Sequence, residues 1–137
     1  MNNKQRIRSP QAPEPADGLW SNCLRVGDMV YISGLTSRGS DGQRVDGDDA
    51  YQQSRIIFGK IAALIQAAGG SIDDVVKLTI FVTDIATNQQ VWKARREVFH
   101  GDFPASSLVE VSALAKPEIL VEIEAIAHLG CAGTGQA

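Results

Sequence analysis

At Gly69-Gly70 the chain changes hydrophobic period, and this switch restricts it to folds that mix helix with sheet. Before the switch, from about Asp49 to Ala68, Tyr51, Ile57, Phe58, Ile61, Leu64, Ile65 and Ala68 recur at three- and four-residue spacing, which lines one face of a helix. Asp48 and Asp49 suit its N-terminus, and the two glycines supply a left-handed stop. Gly59 in the interior costs up to about 1 kcal/mol relative to Ala, a cost that the close approach of a neighbouring element would justify. After the switch, Val75 to Thr83 is β-branched and aromatic on both faces except at Lys77, Thr79 and Thr83. A strand covered on part of both sides is expected.

Leu19 to Val26 and Met29 to Ser33 flank Gly27-Asp28 and predict a β-hairpin. Gly34 to Gly42 is polar and Gly-rich, hence a loop. A second helix is expected from about Thr87 to Phe99 and ends before Phe103-Pro104, and Ser106 to Val111 and Ile119 to His128 complete the strands. The order β-β-α-β-α-β-β makes an α+β sheet with two helices on one face. It occupies residues 18–129 as a single domain, after an extended N-terminal arm (1–17) with Pro10, Pro13 and Pro15 and before a flexible tail (130–137). On the last strand Ile119, Val121, Ile123 and Ala125 point one way, and Leu120, Glu122, Glu124 and Ile126 the other. The second set is neither cleanly solvated nor cleanly core. An oligomer is therefore expected.

Composition narrows the function. Thirteen Lys and Arg against sixteen Asp and Glu give a net charge of −3, so no basic field gathers nucleic acid and no nucleic-acid partner is expected. No apolar run reaches the roughly 20 residues of a membrane span, and no apolar secretory segment opens the sequence. Cys23 and Cys131 are too few for a disulfide framework and fit a reducing compartment, so a cytoplasmic protein is expected. Gly39-x-x-Gly42 lacks the Lys-Ser/Thr of a phosphate-binding loop. His128 and Cys131 are two possible ligands where zinc sites take three or four, so no metal is expected. Cys23, on an early strand, reads as a small packing residue.

The most informative residues come late. Phe103-Pro-Ala-Ser-Ser-Leu-Val-Glu-Val111 followed by Leu120-Val-Glu-Ile-Glu-Ala-Ile-Ala127 resembles the closing strands of the RidA (YjgF-type) family of small enamine/imine deaminases. Ile32-Ser-Gly34, Gln53, Ala67-Ala-Gly69 and Asp74 to Asp84 match the family pattern in order and spacing, and the likeness runs from about Gly18 to His128. The resemblance implies a chorismate mutase-like fold, a homotrimeric barrel, small-molecule sites in clefts between subunits, and hydrolysis of enamines or imines without a cofactor. It also implies an Arg that grips the substrate carboxylate, a Glu that activates water and a Ser-Gly turn that orients the substrate.

Carried over residue by residue, the water-activating Glu is Glu122 and the turn is Ser33-Gly34. The Arg falls on Ser106, a common Cys on Leu108, a Tyr on Trp20 and an Asn on Trp92, so this chain is a divergent member lacking the carboxylate-binding Arg. These departures point away from ordinary 2-aminoacrylate deamination. The expected site therefore has Glu122 as its catalytic residue, with Ser106, Ser107, Trp20, Gly34 and Arg38 binding a small-molecule metabolite. Arg38 is the first candidate to replace the missing cation, with Arg95 and Arg96 behind it. The reading is a RidA-like hydrolase (deaminase) of a small enamine, imine or related carbonyl compound, and its alternative is a non-catalytic small-molecule-binding trimer. RNA cleavage, with which the family has been credited, conflicts with the acidic balance.

Overall fold

The period switch becomes a helix stop. In the computed structural model, which describes residues 3–133, helix α1 (Ala50–Ala67) is capped by Asp49, whose side chain accepts the Gln52 N–H at 2.8 Å. Gly69, at φ 103°, then takes the left-handed conformation that ends it. The helix buries Ile57, Phe58, Ile61, Leu64 and Ile65 completely. Tyr51 instead sits at the rim, and its hydroxyl donates to Glu97 at 2.6 Å on helix α2 (Asn88–Val98). Gly59 is a correction: it is exposed, and a Cβ there would meet nothing within 4 Å, so no close neighbour requires it.

The remaining elements are strands β1 (Lys4–Arg6), β2 (Cys23–Val26), β3 (Met29–Leu35), β4 (Val75–Val82), β5 (Ala105–Glu110) and β6 (Val121–His128). They form a six-stranded sheet in the order β1-β2-β3-β6-β4-β5. Gly27, at φ 58°, turns β2 into β3, the positive-φ position that a Gly-X hairpin needs. Helix α2 makes the crossover that lets β5 pair parallel to β4. Phe58 and Phe99 meet edge to face at 5.6 Å where the two helices close over the sheet.

Alternation along β6 follows the expected pattern. Val121, Ile123, Ala125 and Ala127 are buried beneath the helices, while Glu122, Glu124 and Ile126 line the uncovered face. Tyr31, which pairs with Ile126, is 46% exposed there, so aromatic and apolar surface remains on that face.

The expected N-terminal arm is not simply extended: residues 9–12 turn back on themselves, with the Ala12 N–H donating to the Ser9 carbonyl at 3.0 Å, and the segment before them joins the sheet. Lys4–Arg6 pairs with β2, and Ala12 is buried in the core. Asn22 draws the arm in through its side-chain amide, which donates to the Pro13 carbonyl at 2.9 Å. At the other end, Ala132 N–H donates to the Asp74 carboxylate at 2.9 Å, so the start of the expected tail docks on the domain; residues 134–137 lie outside the described residues.

Candidate functional site

The register of β3 against β6 slips at one point. Ile32 faces Ala125 but Leu35 faces Ile123, so one extra residue is accommodated around Ser33-Gly34. The Ser33 hydroxyl donates to the Ser21 carbonyl at 2.6 Å and holds the irregularity in place. Glu122 lies beside it. A Cβ on Gly34 would come within 2.9 Å of Glu122 Cδ and closer still to its carboxyl oxygen, so a side chain at this position would push the carboxylate out of its present place.

Around this pair is a cleft of about 510 Å³, whose walls include Trp20, Gly34, Arg38, Lys60, Ala115 and Glu122. Segments far apart in the chain build it. The arm supplies Ala12 to Ala16, and Glu14 is tied to Arg6 Nε at 2.9 Å. Trp20 is 52% exposed at the rim and donates from Nε1 to Asn22 Oδ1 at 3.2 Å. The loop after β3 supplies Arg38, and β6 supplies Glu122. Gln53 fixes the start of β6 from α1: it donates to the Glu118 carbonyl and accepts from Leu120 N–H, both at 2.9 Å.

Lys60 is the residue that the sequence reading missed. It projects from the apolar face of α1, is 9% exposed, and donates to the Thr36 and Arg38 carbonyls at 2.7 and 2.6 Å. It therefore pins the loop that carries Arg38. The signal was present in the sequence, because Lys60 follows Ile57 at i+3 on the buried stripe, where a charge must find partners.

The electrostatics of the cleft oppose each other. Burial raises the Glu122 pKa above the ordinary 4.5, Glu124 raises it further, and the charge of Arg38 pulls it down. Arg38 Nε is buried without a hydrogen-bond partner among the described residues, so the guanidinium retains unused donor capacity in this cleft. Burial lowers the Lys60 pKa, and Arg38 adds to that effect. Cys23, fully buried, has its thiol pushed up to about 12 by desolvation and then by Glu14, which suits a packing residue and not a nucleophile.

Of the expected site residues, the structure brings Glu122, Gly34, Arg38 and Trp20 together. Ser106 and Ser107 do not line this cleft. They lie exposed on β5, the far edge of the sheet, where Ser106 Oγ accepts from Arg95 Nη1 at 2.9 Å and Ser107 Oγ from Lys77 Nζ at 3.2 Å. Trp92 is 39% exposed on α2, three residues before Arg95. Among the described residues no group of three or more His, Cys, Asp or Glu side chains is placed to hold a metal ion. No described helix is long and apolar enough to cross a membrane.

Comparison with known proteins gives this geometry a context. A family model described as Endoribonuclease L-PSP matches residues 9–129. A 2-iminobutanoate/2-iminopropanoate deaminase of Dermatophagoides farinae is 32% identical over 126 residues, which cover 92% of this chain and 97% of the relative. A Pseudomonas aeruginosa protein of unknown function is 42% identical, with a TM-score of 0.85 and 94% of each chain covered. RidA from an Antarctic Psychrobacter is 33% identical, with a TM-score of 0.83 over 91% of this chain and 99% of that one.

Proposed function

The chain belongs to the RidA/L-PSP family, and we propose that it is a hydrolase (deaminase) of a small enamine, imine or related carbonyl metabolite, other than ordinary 2-aminoacrylate. The observation that carries this reading is the Glu122 carboxyl, half-buried against Gly34 and facing a cleft that also holds Arg38. Desolvation raises its pKa above the ordinary carboxylate value, which makes the carboxylate a stronger proton acceptor than an exposed glutamate. In the reaction Glu122 takes a proton from water as the oxygen adds to the imine carbon. The proton passes to nitrogen to give a carbinolamine; its hydroxyl then yields a second proton to nitrogen by way of Glu122, the C=O bond forms as the C–N bond breaks, and a carbonyl compound and ammonia leave. No cofactor enters this scheme. Trp20 forms the apolar wall of the cleft and Gly34 gives the substrate close access to backbone.

The site is completed, in this reading, by neighbouring copies in a homotrimer. Exposed Tyr31 and the mixed Glu122, Glu124 and Ile126 row on the uncovered sheet face support that assembly, as does the separation of Ser106 and Ser107 from the Glu122 cleft within one chain. The partners are thus a small molecule and further copies of the chain.

The test is ammonia release from a panel of freshly generated imines and enamines. Glu122→Gln is expected to lower the rate by about 100-fold or more, the range of a lost general base, and equal rates in the two proteins remove the proposal. The second reading is the non-catalytic binding trimer, favoured by Ser106 standing where the resemblance expects an Arg. It predicts thermal stabilisation by a ligand that the protein never consumes.

A further inference from the structure

Lys60 is a costly residue for its place. It shares the buried stripe of α1 with Ile57 and Leu64, where an apolar side chain would pack without penalty and an ammonium loses its hydration. Two of its three N–H donors are met by the carbonyls of Thr36 and Arg38. Burial lowers its pKa, the Asp46 charge opposes this and Arg38 adds to it, so Asp46 helps to keep the ammonium charged.

What Lys60 holds is the base of a small hairpin formed by the loop after β3. Asp46 N–H donates to the Ser37 carbonyl at 2.9 Å, Gly39 N–H donates to the Arg44 carbonyl at 2.7 Å, and Arg38 bridges Val45. Asp41 tightens the turn by accepting the Gln43 and Arg44 N–H groups at 2.9 and 3.0 Å. At the tip the exposed Lys116 donates to the Gln43 carbonyl at 2.7 Å. The Arg38 side chain has no comparable anchor: its Nε is buried without a partner, and among the described residues no ion pair includes it. Backbone places this guanidinium, and Lys60 is the buried tie on that backbone.

The other end of the chain of effects is Glu122. On the flanking strands its neighbours are uncharged, Gly34 beside it on β3 and Phe81 in register on β4. Glu124 on its own strand and Arg38 are the charges that act on it, and Glu14, Asp41 and Lys60 also line the cleft.

We propose that Lys60 is the positioning residue of this site: by holding the Thr36 and Arg38 carbonyls it keeps the Arg38 charge against Glu122, and so keeps that carboxylate ionised for proton transfer. The proposal rests on the reading above in taking Glu122 as the proton acceptor.

The test follows the titration of Glu122 by NMR of the labelled glutamate carboxyl groups, without substrate, with Glu122→Gln assigning the signal. Lys60→Met should move the midpoint upward as far as Arg38→Gln does. In the Arg38→Gln background Lys60→Met should add nothing, because the charge it positions is gone. Lys116→Gln, which removes a surface cation at the hairpin tip, should leave the midpoint in place. Where Lys60→Met does not fold, Lys60→Gln, shorter but still a donor, replaces it in the same cycle with a smaller upward shift. An unmoved midpoint in a folded Lys60 variant overturns the proposal and leaves Lys60 a packing peg. A shift that persists without Arg38 also overturns it, since the ammonium then acts on Glu122 directly, and so does an equal shift in Lys116→Gln. If the midpoint depends on Lys60 through Arg38 while no imine is ever hydrolysed, only the catalytic reading fails. If turnover needs Glu122 but the midpoint ignores Lys60, only this proposal fails.

Discussion

The Glu122 cleft and the Arg95 corner differ in how each is held. The cleft is built from the arm, the loop after β3, helix α1 and β6, and buried partners such as Lys60, Gln53 and Asn22 fix its walls. The corner is one helix residue leaning on one exposed serine of an edge strand. The carboxylate is thus embedded in the fold, whereas the guanidinium depends on a single hydrogen bond. A chain can relocate the second far more cheaply than the first, because few other contacts must change with it.

This contrast predicts a ranking of mutational effects. Gly34→Ala should be the most damaging, since its Cβ enters the space of the Glu122 carboxyl. A loss of about 1–3 kcal/mol in urea unfolding, together with at least a tenfold fall in turnover, is expected from such overpacking. Lys60→Met should come next at about 1–3 kcal/mol, because two carbonyls lose a charged donor. Arg95→Gln should cost no more than about 1 kcal/mol, the worth of one partly exposed hydrogen bond. A larger loss there than in Lys60→Met would reverse the comparison.

Glu122→Gln should run the other way. Folding raises the Glu122 pKa above 4.5, so the folded state favours the protonated form. Its contribution to stability is greatest below 4.5 and declines as pH rises through the raised folded value. The glutamine variant is therefore expected to be slightly more stable than the wild type at neutral pH. Its advantage should shrink in acid, as followed by thermal unfolding at several pH values. An advantage that grows in acid would contradict the burial of this carboxyl.

Much of the fold was legible because it depends on local pattern. The stripe of α1, its Asp49 cap, the Gly69 stop and the alternation of β6 are all written within a few turns or residues. What the sequence hid depends on chain segments far apart. Ala12 to Ala16 carry no periodicity, and it is the side chain of Asn22, nine residues beyond Pro13, that draws them into a cleft wall. Lys60 finds its partners 22 and 24 residues away, in a loop that looks merely polar. Glu122, Gly34, Arg38 and Trp20 were found because the family resemblance names or surrounds them, and the structure adds that they share one hollow. The Arg95–Ser106 contact joins a helix to a strand that follows it by 11 residues, and spacing alone does not reveal which of two adjacent arginines turns inward.

The most direct measurement is the pH dependence of ammonia release, compared between the wild type and the Arg38→Gln and Glu124→Gln variants. If Glu122 is the ionising group that draws the proton from water, the acid limb of the wild type lies above 4.5. Arg38→Gln then moves the limb upward by removing a cation, and Glu124→Gln moves it downward by removing an anion. A limb at the ordinary glutamate value that neither substitution shifts would contradict the assignment of Glu122.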